Sequence, residues 1–195
     1  MPPRCFLALT LPGSVIEALV SSRETFLAGA PAWAGEKWVA TPALHMTIAF
    51  LGAVDDEALQ AAVPRLGAAV ASVGAFDLRL SRIVAVPSPR KATMLWATLG
   101  DPDGRLAALR DALMTAFPDV AVESGRPLRP HVTLVRTRSP RRAEAAALAA
   151  ASALVEAMGK EPDGVVSVHS ATLFSSTLRP TGPEYRAITV AHLAP

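Results

Sequence analysis

Two short segments are the most informative about the expected architecture of this chain: LHMTIAFLG, residues 44–52, and HVTLVR, residues 131–136. Both are continuous apolar runs rich in strand-forming residues, and each contains a histidine followed two positions later by a threonine. These pairs are His45 with Thr47 and His131 with Thr133. Because residues i and i+2 of a strand point to the same face, each segment is predicted to present an imidazole beside a hydroxyl.

The elements around these two strands repeat along the chain. His131 follows His45 by 86 residues, and each half reads as helix, strand, helix, strand, strand. One period of this size, seen once, favours two fused halves over a solenoid. The pattern predicts strands at 4–10, 44–51, 75–86, 92–99, 131–135, 165–176 and 185–193. It predicts helices at 14–29, 55–73, 103–118 and 139–159.

Paired strands at the end of each half predict antiparallel sheets, so the expected fold class is α+β. No linker-like stretch separates the halves. We therefore expect a single bilobal domain over residues 1–195, with approximate lobes 11–100 and 101–195 and a central cleft between the sheets. Since the duplication already supplies both halves of a site, we expect a monomer.

The composition narrows the possible classes of protein. Of 195 residues, 51% are hydrophobic and 18% charged, which favours a packed core over a disordered chain. A formal net charge of +2 argues against a general polyanion binder. Cys5 is the single cysteine, and no apolar run has the length of a membrane span. We therefore expect a cytoplasmic protein that does not enter a membrane.

Two imidazoles that face each other across a cleft form an acid/base pair. One, in its neutral form, takes a proton from water, and the other, in its protonated form, gives one to a leaving oxygen. The threonine hydroxyls can hydrogen-bond phosphate oxygens and stabilise the charge that develops there. This chemistry requires no metal or cofactor. Three alternatives stay open at this point: a packing role for both motifs, a metal hydrolase, and a non-catalytic RNA-binding module.

The two tetrads, His45-Met-Thr-Ile48 and His131-Val-Thr-Leu134, resemble the marks of the two-histidine (2H) phosphoesterase superfamily. Within it, the chain is similar to the RNA 2′,3′-cyclic phosphodiesterase family, also called the 2′-5′ RNA ligase family. The resemblance runs from Phe6 to Leu193. It also includes Lys37-Trp38-Val39, Ala49-Phe50-Leu51-Gly52, Arg129-Pro130, Leu173-Phe-Ser-Ser176 and Gly182-Pro183-Glu184-Tyr185.

This resemblance implies hydrolysis of an RNA 2′,3′-cyclic phosphate to a 2′-phosphomonoester. It implies His45 as the proton donor to the leaving 3′ oxygen and His131 as the proton acceptor from water. The implied partners are RNA with a 2′,3′-cyclic phosphate end or a small cyclic nucleotide, with no protein partner. Joining of RNA halves through a 2′-5′ bond is the same chemistry with a 5′-hydroxyl in place of water, and it stays as an alternative.

The chain departs from the family in one place. The family often has an arginine just before the Leu-Trp of a hairpin strand, whereas Thr93 and Met94 precede that dipeptide here. Arg90 and Lys91 are the candidates to replace the missing cation.

Several other residues are candidates for contacts with RNA. Arg126 and Arg129 lie in the loop before His131, where they are placed to reach an RNA backbone. The aromatic rings of Trp38 and Tyr185 are candidates for stacking on a base.

Four further residues are expected to be structural. Phe50 is predicted to be a core residue. Strict alternation places Arg136, five residues after His131, on the opposite face of the strand, where it would anchor a lobe. His169 and His192 are single histidines in predicted strands.

Overall fold

The structure is a computed structural model that describes residues 3–117, 128–179 and 182–195. The strands are β1 Arg4–Leu9, β2 Lys37–Trp38, β3 Met46–Ala53, β4 Phe76–Val86, β5 Ala92–Gly100, β6 His131–Arg141, β7 Val165–Val168, β8 Ser170–Arg179 and β9 Gly182–His192. The α-helices are α1 Gly13–Gly29, α2 Asp56–Ala71, α3 Arg105–Ala116 and α4 Ala145–Met158.

The nine strands form one sheet in the order β7-β4-β5-β6-β3-β1-β8-β9, with the short β2 also paired to β6. All pairings between these strands are antiparallel. At the centre, β3 and β6 are matched through a single residue pair, Met46 with Val132. Because the two central strands pair so briefly, the sheet opens there into a cleft. The α+β class predicted from the sequence is confirmed.

The two lobes of the sheet do not coincide with the sequence segments 11–100 and 101–195. We call β7, β4, β5 and β6 the His131 lobe, and β3, β1, β8 and β9 the His45 lobe. Strand β6 pairs with β5, which belongs to the other half of the repeat. Strand β3 pairs with β1, and the other neighbour of β1 is β8, from the second half. The helices cross in the same way, since α1 packs on α4 and α2 on α3.

A β-bulge in β3 changes which face its later residues occupy. Ala49 pairs with Leu7 and Thr47 with Ala8, so Ile48 is an extra residue without a partner on β1. An extra residue resets the alternation of the strand. Phe50 therefore lies on the same face as Thr47, with 42% of its surface exposed. The prediction that Phe50 belongs to the core is wrong for this reason.

Strand β6 has a β-bulge at the matching position. Val135 pairs with Leu95 and Thr133 with Trp96, so Leu134 is the extra residue. The alternation shifts by one, and Arg136 comes to the face that carries His131. The prediction that Arg136 lies on the opposite face is therefore wrong.

Strand β6 also runs further than its apolar pattern suggested. Arg141 pairs with Ala92 on β5, and the Ala143 N–H donates to the Pro89 carbonyl at 2.8 Å. Because these backbone bonds hold residues 137–141 in the sheet, α4 begins at Ala145 instead of near 139.

Candidate active site

A cavity of about 540 Å³ lies in the cleft between β3 and β6. Both histidines and both threonines of the two motifs line it: His45, Thr47, His131 and Thr133. The structure thus brings together four side chains that are far apart along the chain. The cavity is completed by Arg4, Cys5, Phe6, Val39, Ala43, Phe50, Gly52, Ala53, Arg136, Ser176 and Tyr185.

Both imidazoles are oriented by a carbonyl two residues earlier in the chain. The Nδ1 atom of His45 lies 2.8 Å from the Ala43 oxygen, and that of His131 lies 2.7 Å from the Arg129 oxygen. A carbonyl can only accept, so each Nδ1 carries a proton. In the neutral imidazole, Nε2 is then the accepting atom. The Nε2 of His45 lies 3.2 Å from the Thr47 hydroxyl, which donates to it in that state.

Aromatic rings surround His45. Its ring centroid lies 5.0 Å from that of Phe6 and 5.1 Å from that of Tyr185, which meets it edge-on. Phe174 lies behind at 6.5 Å. Water is therefore largely replaced by hydrocarbon around this imidazole.

Burial lowers the pKa of His45 below its ordinary value. The hydrogen bond to the Ala43 carbonyl acts in the opposite direction, since it favours the protonated form. The nearby positive charges of His131 and Arg136 lower the pKa further. The unliganded site therefore favours neutral His45.

The surroundings of His131 are different. Its ring stacks on the indole of Trp96, with centroids 3.8 Å apart and planes tilted by 23°. Trp96 lies directly opposite Thr133 on β5. One indole face thus supports the imidazole while the other side of His131 meets the cavity. No sequence signal marks Trp96 as a site residue, because its role depends on pairing across the sheet.

Arg136 is the cation beside the two histidines. Its Nη1 lies 3.1 Å from the Met94 sulfur, a weak acceptor, and it is close enough to lower the pKa values of His45 and Tyr185. The larger influence on the Tyr185 pKa is burial, which raises it. Arg90 and Lys91, the expected replacements for the missing family arginine, do not line the cavity. Arg136 is the cation that lies beside the Met94 position.

No carboxylate is among the described side chains that line this cavity. Two arginines and two imidazoles therefore face it without a neutralising acid. Such a site attracts an anion, and guanidinium groups match the geometry of phosphate.

Of the residues predicted to contact RNA, one lines the cavity and two of the others lie outside it. Tyr185 lines the cavity, whereas Trp38 does not: its Nε1 donates to the Trp33 carbonyl at 2.9 Å and its ring packs near Phe26. That placement makes Trp38 a packing residue. Arg129 has an exposed side chain outside the cavity, although its carbonyl holds His131. Arg126 lies outside the described residues.

The remaining two histidines are exposed and lie away from the cavity. His169 and His192 are exposed near the ends of β7 and β9. They therefore offer matched controls for substitutions at the two cavity histidines.

A carboxylate clamp holds the segment in front of the cavity. Glu36 accepts from the Arg138 N–H at 2.9 Å and from Arg141 Nη1 at 2.5 Å. These bonds, the backbone bond to Arg138 first, lower the pKa of Glu36. Arg141 also lies over the Trp33 ring at 4.9 Å. The clamp ties β2 to the end of β6 and so keeps Val39 at the edge of the cavity.

The described residues contain neither a metal-binding cluster nor a membrane-spanning helix. Within residues 3–117, 128–179 and 182–195, no three His, Cys, Asp or Glu side chains are grouped so that they could hold a metal ion. In the same part of the chain, none of the helices combines the length and the apolar character of a membrane span.

Comparison with known proteins shows matches over most of the chain. A family model described as the 2′-5′ RNA ligase superfamily matches residues 19–177. The RNA 2′,3′-cyclic phosphodiesterase of Escherichia coli (strain K12) is 32% identical over 139 residues, which cover 71% of this chain and 74% of that relative. The protein of the same name from Methanothermobacter thermautotrophicus is 24% identical over 193 residues, 99% of this chain and 100% of the relative.

Solved structures share the fold. The crystal structure of TT0787 of Thermus thermophilus has a TM-score of 0.74 at 22% identity and covers 97% of each chain. The crystal structure of E. coli LigT in apo form has a TM-score of 0.71 at 24% identity, over 100% of this chain and 99% of that one. Both likenesses agree with the α+β class predicted from the sequence.

Proposed function

Since this chain belongs to the 2′-5′ RNA ligase superfamily, we propose that it hydrolyses 2′,3′-cyclic phosphates at RNA ends to 2′-phosphomonoesters. Curated relatives named RNA 2′,3′-cyclic phosphodiesterase support this activity. The observation that carries the proposal is the pair of imidazoles, His45 and His131, in one cationic cavity. Each is held by a carbonyl so that its Nε2 is the atom that exchanges a proton.

The reaction places opposite demands on the two histidines. Protonated His45 donates its Nε2 proton to the 3′ oxygen as the bond from phosphorus to that oxygen breaks. Neutral His131 accepts a proton at Nε2 from water, while the water oxygen bonds to phosphorus. The products are a 3′-hydroxyl and a 2′-phosphate, and one proton has moved from His45 to the sugar and another from water to His131.

Three further side chains stabilise the charge on the phosphoryl oxygens. The hydroxyls of Thr47 and Thr133 lie beside the two imidazoles on the same strand faces, and each can donate to a non-bridging oxygen. Arg136 supplies a guanidinium at the same place. Donors held in position before the reaction are effective because they need no reorganisation as charge develops.

Substrate binding and protonation of His45 are coupled in this scheme. Burial and nearby cations keep the pKa of His45 low in the unliganded site. An anionic cyclic phosphate placed beside the imidazole offsets these positive charges and raises the pKa. The substrate thereby helps to create the acid that acts on it.

Phosphorus NMR of adenosine 2′,3′-cyclic phosphate tests the proposal. We expect the wild type to form the 2′-phosphate, also in the presence of EDTA. We expect H45A and H131A to lose this activity and the controls H169A and H192A to keep it. A 3′-phosphate product would overturn the assignment of the leaving oxygen. Full activity in H45A or H131A would overturn the two-histidine mechanism, and loss of activity in EDTA would overturn its independence from metal.

The same assay separates the alternative functions. With a 5′-hydroxyl RNA added, a 2′-5′ linked product in excess over hydrolysis would identify an enzyme that acts mainly in joining. Binding of RNA ends without turnover, retained in both histidine variants, would identify a non-catalytic binding module.

A further inference from the structure

Arg4 and Phe6 lie on the same face of β1. Strand β1 pairs regularly with β8, Arg4 with Ser176 and Phe6 with Phe174, so the two residues are one pleat repeat apart without a bulge on β1. Both line the cavity. Two residues further along the same face of β1, beyond the bulge in β3, Ala8 lies opposite Thr47. The face of β1 therefore runs from the position opposite Thr47, past Phe6, to Arg4.

The middle of this face is aromatic. Phe6 stacks on Phe174 with centroids 5.4 Å apart, meets Tyr185 edge-on at 5.1 Å and lies 6.1 Å from Phe50. Phe6 itself is buried, whereas Phe50 is 42% exposed and Tyr185 is half-buried at the cavity. Ring surface of this kind next to a phosphate site accepts a base or a ribose. We call Phe6, Phe50, Phe174 and Tyr185 the aromatic row.

Arg4 lies beyond the aromatic row, at the outer end of the cavity. Its strand position is four residues from that of Ala8, about 13 Å along an extended chain. Its neighbours across the sheet are small, Ala53 on β3 and Ser176 on β8. Among the described residues, Arg4 has no ion-pair partner. Its guanidinium thus faces an open end of the cavity.

The two cavity arginines have different positions relative to the histidines. Arg136 lies on the face of β6 that carries His131, and its charge lowers the pKa of His45, whereas Arg4 lies opposite Ala53, eight residues beyond His45 in the chain. Arg136 therefore belongs with the reacting phosphate. Arg4 lies further out and is available to a second anion.

The chemistry of the substrate determines which anion this is. A nucleotide whose 2′ and 3′ oxygens both bond one phosphorus has no neighbour on its 3′ side. Any second phosphate is on the 5′ side. We propose that Arg4, at the outer end of the aromatic row, forms a subsite for the 5′ phosphate of the terminal nucleotide, so that the protein prefers RNA ends over simple nucleoside cyclic phosphates. This inference rests on the proposed function.

Two small substrates test it: adenosine 2′,3′-cyclic phosphate with a 5′-hydroxyl and the same compound with a 5′-phosphate. The measured quantity is the ratio of their kcat/KM values in one enzyme sample, so any misfolded fraction cancels. For the wild type, we expect the 5′-phosphorylated compound to be favoured roughly tenfold or more, as for one charge-assisted hydrogen bond. In R4Q we expect this ratio to fall about tenfold.

Three further variants complete the design. R4K retains the charge but not the planar fork, so we expect a ratio between those of wild type and R4Q. R65Q removes an exposed arginine of α2 away from the cavity and should keep the wild-type ratio. R136Q should lower both kcat/KM values together, because Arg136 acts at the reacting phosphate.

The outcomes are distinguishable. If the wild type hydrolyses both compounds equally well, or if R4Q keeps the wild-type ratio, the Arg4 subsite is refuted and the proposed function stands. If R65Q lowers the ratio as much as R4Q does, the effect is one of general charge, and the subsite is again refuted. If the wild type hydrolyses neither compound, the proposed function itself fails.

Discussion

The two lobes hold their histidines by the same backbone hydrogen bond, but the side chains around the two imidazoles differ. In each, a carbonyl two residues earlier binds Nδ1, and a bulge follows the threonine. His45, however, is enclosed by Phe6 and Tyr185, whereas His131 rests on Trp96 and meets the cavity. Duplication thus supplies two similar backbones, and side-chain differences supply the unequal environments that an acid/base pair needs.

The difference is sharpest at the fifth residue after each histidine. The bulges bring Phe50 and Arg136 to equivalent positions, where their partners across the sheet are Phe6 and Met94. One lobe therefore presents ring faces at this position and the other a guanidinium. In the proposed reaction, the first would hold the nucleoside and the second the phosphoryl oxygens.

The largest effect is expected from removing either histidine. We expect H45A and H131A each to lower kcat by ~10²–10⁴, the usual range for a general acid or base. Since the two groups act in one step, the double variant should lose less than the product of the single losses. Single-turnover rates of the three variants measure this. Strictly multiplicative losses would show that the histidines work independently and would contradict the view that the two lobes form one acid/base pair.

A second effect is expected from making the His131 lobe resemble the His45 lobe. R136F removes the guanidinium, and we expect kcat/KM to fall roughly 10- to 100-fold, as for one or two charge-assisted hydrogen bonds to phosphate. R82Q, at an exposed position on β4, serves as the control. Unchanged kcat/KM in R136F would remove Arg136 from the phosphate site.

A smaller effect is expected from the indole under His131. W96L removes the stacked ring, and we expect kcat to fall roughly 3- to 10-fold, the equivalent of one aromatic contact. W96F, which keeps a ring at this position, should recover most of the loss. If W96L and W96F are equally impaired, stacking is not what Trp96 contributes.

The smallest expected effect is on the pH dependence of the free energy of unfolding, not on the rate of turnover. Because burial lowers the pKa of His45 in the folded state, the unfolded chain binds a proton more readily there. The contribution of His45 to the free energy of unfolding is therefore fully present above about pH 6.5 and is lost as the pH falls below it.

Urea unfolding at pH 7.5 and pH 5.5 measures this contribution. H45Q should show a smaller loss of stability between the two pH values than either the wild type or H169Q, a variant at an exposed position. Imidazole NMR titration should also show that R136Q raises the pKa of His45, since a positive charge has been removed. An equal pH dependence in H45Q and wild type would contradict the assignment of the buried, neutral imidazole.

Much of the fold could be predicted because its signals are local. Apolar runs, helix faces and Pro/Gly turns located most elements to within a few residues. The end of β6 is an exception, because Arg141 is held in the sheet by Ala92, almost fifty positions earlier in the chain. The role of Trp38 could not be predicted either, because its indole N–H donates to the Trp33 carbonyl within a packed loop.

The order of residues is enough to place a threonine beside each histidine on the same strand face, because a period of two is a property of the chain alone. Long-range packing sets the rest: Phe50 and Arg136 join this face, Trp96 supports His131, and the lobes exchange strands between the sequence halves. The reason is that a bulge exists only relative to a partner strand. Which residue is left over, and so which face the next side chains take, depends on pairing between segments far apart in sequence.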